Sequence, residues 1–166
     1  MDSNLPAYRL LKIDEFTYSF ITASGIEYKC SFLSYAEYFA KYPDIADKVF
    51  SFNLEITSNL PKQRGVDERI AVTVVNVVGD FLVSKINAVV YVCDPADGKG
   101  IVRSRKFKSW FNYYEHHSHQ IIQINGDFEA GGIKLFTALL VHRKNKLRKQ
   151  LVEAYIDLTD IDDDDK

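Results

Sequence analysis

With 166 residues, 46% hydrophobic and 27% charged, the chain has the make-up of an ordinary folded domain, which excludes disorder for its bulk and lets one core form without staples. Two cysteines, Cys30 and Cys93, are too few for a disulfide framework, and no apolar run reaches the ~20 residues of a membrane-spanning helix. The net charge of −2 hides an uneven distribution: residues 1–98 carry nine Lys/Arg against thirteen Asp/Glu, residues 99–149 eleven against three, and residues 150–166 one against seven.

The N-terminus, Met1-Asp2-Ser3-Asn4, lacks the basic and then apolar run of a secretory signal, so a cytoplasmic location is expected. Phe16, Tyr18 and Phe20 alternate with polar residues, as do Ile26, Tyr28, Cys30 and Phe32, with Ala23-Ser24-Gly25 between them; the pattern predicts a hairpin. Ser34-Tyr35-Ala36-Glu37 has capping-box spacing, and Tyr35, Tyr38, Phe39 and Tyr42 recur at helical intervals before Pro43, predicting a short amphipathic helix. Phe50, Phe52, Leu54 and Ile56 alternate with Ser51, Asn53, Glu55 and Thr57 as a strand does.

From Asp67 to Lys85 the valines favour a strand, but Ile70, Val74, Val77, Val78 and Phe81 share one helical face. Thr73, Asn76 and Asp80 read as a solvent stripe and Asp67 as an N-cap, so a helix is predicted. Ile86 to Cys93 is a buried strand, and Phe107, Trp110, Phe111 and Tyr114 form the apolar side of a helix capped near Ser104. A second hairpin joins His119–Phe128 to Ile133–His142 through Ala130-Gly131-Gly132, and Leu147, Leu151, Tyr155 and Leu158 mark a last helix. Matching the apolar sets of this hairpin requires paired numbers that sum to 261 or 263. Either register puts His117, His119 and His142 on one face.

The element order argues for an α+β domain: a mostly antiparallel sheet built from two hairpins plus further strands, with helices covering one face. One domain over residues 1–158 is expected. Residues 159–166 are expected to be an acidic tail; Asp162-Asp163-Asp164-Asp165-Lys166 resembles an enteropeptidase site left by cloning, and if native it is a solvated tail able to compete with an anionic ligand for the basic third.

Three groups of residues carry a likeness: Tyr18-x-Phe20-x-Thr22-x2-Gly25-x2-Tyr28, Asp67-x-Arg69-Ile70-x2-Thr73, and Cys93-Asp94-x2-Asp97-Gly98-x4-Arg103-x-Arg105-x-Phe107-x2-Trp110. In these the chain resembles an uncharacterised family of small bacterial proteins. The resemblance implies a bacterial single-domain protein and brings no activity, substrate or catalytic residue with it.

Chemistry concentrates after the buried strand. Asp94 and Asp97 flank Pro95 ahead of Gly98, and Arg103, Arg105, Lys106 and Lys108 follow. Paired carboxylates suit acid/base work, whereas the cations suit an anion; a plain turn closed by an Asp–Arg pair explains the same residues. Extending the predicted helix backwards turns Arg103 toward Phe107 and Trp110, so it is expected to be partly buried and paired with Asp94 or Asp97. A second basic set, Arg143, Lys144, Lys146, Arg148 and Lys149, either joins the first in one patch or stands as a separate solvated face.

Three imidazoles on one sheet face could hold zinc, but clustered strand-end histidines are more often merely exposed, so no metal and no cofactor is expected. Cys93 reads as packing. No phosphate-binding glycine loop, Gly-x-Ser-x-Gly, His-Glu-x-x-His or Cys-x-x-Cys occurs. The reading is a binding or regulatory domain whose ligand-binding residues are Arg103, Arg105, Lys106, Lys108, Asp94 and Asp97, with nucleic acid or an acidic protein as partner and no membrane. The alternative is a small hydrolase or nuclease-like enzyme using Asp94, Asp97 and the histidines.

Overall fold

The computed structural model describes residues 4–61, 65–93, 97–114 and 120–159. Seven strands form one sheet: β1 (Leu11–Asp14), β2 (Thr17–Ile21), β3 (Glu27–Ser34), β4 (Val49–Ile56), β5 (Ala88–Cys93), β6 (Ile121–Ala130) and β7 (Ile133–His142). Their spatial order is β1-β2-β3-β4-β5-β7-β6. Every neighbouring pair is antiparallel except β4 and β5. That parallel pair needs a crossover, supplied by helix α1 (Glu68–Leu82); α2 (Gly100–Tyr114) and α3 (Arg148–Thr159) complete the α+β fold.

Both hairpins form, and β6–β7 takes the second of the two admissible registers, with Ile121 opposite His142 and Glu129 opposite Lys134. The register follows from burial, because a one-residue slip would turn the apolar set to the wrong face. His142 lies on the face it shares with Ile121; His117 and His119 lie outside the described residues. β1 has no counterpart in the sequence pattern, since Leu11 and Ile13 are exposed.

The segment after β3 departs from expectation. It forms two 3-10 turns, Ala36–Phe39 and Ala46–Lys48, rather than an amphipathic α-helix, and no side chain caps the first. Ser34 stays in the ladder opposite Phe50 and, among the described residues, its hydroxyl accepts only from Ala36 N–H, at 3.4 Å, and Pro43 follows too soon for a run this short to overcome helix nucleation. Phe39 instead packs with Val49, Val90 and Leu151.

Helix α1 forms as predicted, with the Asp67 carboxylate accepting from the Arg69 N–H at 3.1 Å. The polar stripe that argued for it is solvated only in part, with Asp80 exposed and Asn76 half-buried. Thr73 is fully buried: its Oγ1 accepts from Tyr8 N–H (2.8 Å) and donates to Arg69 O (2.6 Å). Asp80 accepts from the Tyr18 hydroxyl at 2.6 Å, and the Tyr8 hydroxyl donates to Asp67 at 2.6 Å. Two tyrosines thus satisfy both ends of the stripe. The Arg69 guanidinium, 3.9 Å from the Tyr8 ring centre, also donates to Pro6 O at 2.9 Å.

Two cores lie on the two faces of the sheet. Helices α1 and α2 cover one, where Phe81 stacks on Phe32 and Phe107 on Tyr91. Each such ring, once buried, contributes about 1.5–3 kcal/mol. The other face is covered as well: Leu151, Ala154 and Tyr155 of α3 pack with Val90, Leu139 and Val141. Helix α2 starts a turn earlier than its predicted cap, so Ser104 is buried inside it with Phe107 and Phe111.

Candidate functional site

The site is built by the parallel pair. The ladder between β4 and β5 runs from Val49↔Ala88 to Phe52↔Tyr91 and ends there. Strand β4 continues to Ile56 on its pairing with β3, and β5 continues to Cys93 on its pairing with β7. The sheet therefore parts at the C-terminal ends of its two parallel strands. Tyr35 N–H donates to Val49 O and Thr57 N–H to Glu27 O, so odd-numbered residues of β4 turn their backbone groups to β3; by alternation Leu54 and Ile56 turn theirs toward β5. Connections to both following helices leave from this end, where open sheets bind ligands. The aliphatic side chains Ile56, Leu60, Val66, Ile101 and Val102, all carried by β4's end, its following connection and α2's first turn, are exposed.

On the helix-covered face of this opening, Tyr91 and Cys93 project from β5 beside α2. Burial raises both side-chain pKa values. For Cys93 the burial effect is opposed by a hydrogen bond to the Tyr91 hydroxyl and by the cations Lys108 and Arg103. The thiol is 2% exposed and stays protonated at neutral pH, which agrees with a packing role.

Arg103 pairs with Asp97 as predicted: both terminal guanidinium nitrogens reach the carboxylate, which also accepts from Lys99 N–H at 3.0 Å. That pairing holds the Asp97 carboxyl below its ordinary range, with the Lys99 N–H a second cause. The expected burial does not occur. The Arg103 and Asp97 side chains are 47% and 46% exposed, because α2 turns Ser104 inward and Arg103 outward. Arg105 is exposed, Lys106 stands 5.5 Å from the Trp110 ring centre, and Lys108 is half-buried next to Cys93. Asp94 lies outside the described residues.

The second basic set does not join the first. It follows His142, whose neighbour Val141 pairs with Ala88 at the N-terminal end of β5, whereas Arg103 lies beyond Cys93 at the C-terminal end. About 20 Å of strand separates them. The same separation keeps His142 from Asp97, and among the described residues no group of three or more His, Cys, Asp or Glu could hold a metal ion. His142 is 7% exposed, with its Nδ1 accepting from Lys144 N–H at 3.0 Å. Sequence reasoning missed the backbone of Leu54 and Ile56, because a parted ladder depends on two strands far apart in the chain. Tyr91 carried a visible signal, a lone hydroxyl within the apolar run Val89–Cys93.

A family model described as "Family of unknown function (DUF6169)" matches residues 66–157, more than half of the chain, and the protein belongs to that family. No curated protein matches. Among solved structures, a CoA-dependent acyl-homoserine lactone synthase, MesI, aligns over 92% of this chain and 73% of its own, at 8% identity and a TM-score of 0.37; a likeness this distant carries no argument about activity. Among the described residues no helix is long and apolar enough to cross a membrane.

Proposed function

We propose that the protein is a binding domain for an anionic small molecule with an extended, amide-bearing arm, seated where β4 and β5 part. The observation that carries this is the end of the β4–β5 ladder at Phe52↔Tyr91 while both strands continue. An extended amide chain can enter such an opening as an added strand and pair with the backbone of Leu54 and Ile56. Its phosphates would meet the cations Lys99, Arg103, Arg105, Lys106 and Lys108, from just before α2 to its middle. The exposed aliphatics around the opening suit the uncharged part of such a ligand.

Splitting of the basic third into two distant sets speaks against one long polyanion laid across it, which makes nucleic acid and acidic proteins the competing partners. Coenzyme A joins an amide-bearing arm to phosphates and serves as the probe. Titration calorimetry is expected to show saturable binding that an Ile56→Pro variant weakens, because proline removes the N–H facing the opening and leaves the β3 pairing intact. An Arg105→Glu/Lys106→Glu variant should weaken it too. Binding of a DNA duplex but not of coenzyme A, or coenzyme A binding indifferent to both variants, would overturn the proposal.

A further inference from the structure

The opposite end of the sheet carries a second surface. Arg143, Lys144, Lys146, Arg148 and Lys149 are exposed within seven residues that contain no carboxylate. Lys85 adds a sixth cation: it is close enough, with Lys144, to act on His142 electrostatically. The turn bearing them is held rigidly. Asn145, 5% exposed, donates from Nδ2 to Asn87 O (3.2 Å), accepts on Oδ1 from Leu147 N–H (2.8 Å), and donates its own N–H to His142 O (2.9 Å). Arg148 Nη1 donates to Arg143 O at 2.7 Å.

Apart from the Arg148 bond to the turn, these charges do little for the fold. Arg148 and Lys149 stand in the first turn of α3, which has no acidic residue, where the helix dipole disfavours cations. Among the described residues a single ion pair, Lys149 to Glu153 at 4.0 Å between well-exposed side chains, relieves them. The segment before β4 contributes Lys41 and Lys48 against Glu37, Asp44 and Asp47, a slightly acidic set. Beside Lys85, Val83 and Ile86 are 65% and 51% exposed.

We infer that this end of the molecule docks on an anionic lipid surface. Six cations and two outward aliphatic side chains at one end of the sheet match what a charged bilayer offers: a negative plane with an apolar layer beneath the headgroups. A nucleic acid duplex would use the cations and leave Val83 and Ile86 in water, and the sequence pI of about 6.1 is far from that of a typical nucleic-acid binder. Peripheral docking asks for no spanning helix, and it departs from the sequence-based expectation of no membrane partner. The surface is independent of the opening between β4 and β5, which lies at the other end.

Co-sedimentation of the full chain with phosphatidylcholine vesicles, and with vesicles containing about one third phosphatidylglycerol, tests it. Binding is expected only to the anionic vesicles and should weaken as salt is raised. Arg143→Glu/Lys144→Glu/Lys146→Glu should weaken it by on the order of 100-fold, at about fivefold for each cation lost. Val83→Ser/Ile86→Ser should weaken it roughly tenfold. All five positions are exposed, so both variants should melt as the wild type does, and the salt response of the wild type stands as a readout free of mutation. Equal binding to both vesicle types, no binding to the anionic ones, indifference to the Val83/Ile86 variant, or tighter binding to a DNA duplex would each overturn the inference.

Discussion

Replacing Gly126 with alanine tests how α3 is seated on the sheet. Gly126 lies in β6 opposite Thr137, and a Cβ there would stand 2.8 Å from Thr159 Cγ2, 3.0 Å from the Tyr155 hydroxyl and 3.1 Å from Thr159 Cβ. The crowding is tied to polar order: Thr137 Oγ1 donates to Gly126 O at 2.5 Å and lies 2.6 Å from the Tyr155 hydroxyl, itself 3.3 Å from the same carbonyl. Overpacking of this kind costs about 1–3 kcal/mol, while alanine recovers roughly 0.5–1 kcal/mol of glycine's entropic penalty in a strand. The middle of these ranges leaves a net loss of about 1 kcal/mol, or roughly 2–4 °C in Tm for a chain of this size. Urea unfolding measures it as a lower midpoint at unchanged slope. Thr159→Ala removes the nearest atom, so in the double variant part of the loss should return as a coupling of about 0.5–1 kcal/mol. A Gly126→Ala protein as stable as the wild type, or a strictly additive cycle, would refute the account of α3's seat.

Tyr18→Phe should cost about 1 kcal/mol, because the hydroxyl of this buried ring donates to Asp80; an unchanged urea midpoint would remove Tyr18 from the bonds that hold α1. Arg103→Ala and Lys106→Ala should be indistinguishable in unfolding free energy, since the Arg103–Asp97 pair is exposed to solvent, and a clear excess loss for Arg103→Ala would restore the buried pair. His142 has a pKa lowered by burial and then by Lys85 and Lys144, so the unfolded chain takes up this proton first. Its contribution is complete above the ordinary histidine range near 6.5 and declines as pH falls through that range toward the folded value; His142→Asn should flatten this part of the stability–pH curve, and an unaltered slope would contradict the assignment.

Much of the fold is legible residue by residue. Alternation around Tyr18, Tyr28 and Phe52 marks three strands, and the apolar sets around Ile122 and Leu139 narrow the second hairpin to two registers because a slip reverses every side chain. The α1 helix is legible through Asp67 and its apolar face, although Thr73 misleads: a threonine at a helix position reads as solvated until Tyr8, 65 positions away, covers it. Arg103 misleads for a related reason, since its facing depends on a helix phase that Ser104 sets by going inward. The parted strands are illegible because Leu54 and Ile56 look like any alternating strand residues, and only the pairing of β4 with β5 shows which of their backbone edges is open. Gly126 reads as a weak point in a strand, yet it marks a close approach of α3.

The single parallel pair also divides the sheet into two antiparallel halves, β1–β4 and β5–β7, joined directly by four residue pairs. Within each half, partners are mostly neighbours in sequence, whereas the joint cannot form until α1 has been laid between strands more than thirty residues apart. Amide exchange in the two halves is therefore free to differ, each opening as its own cooperative unit.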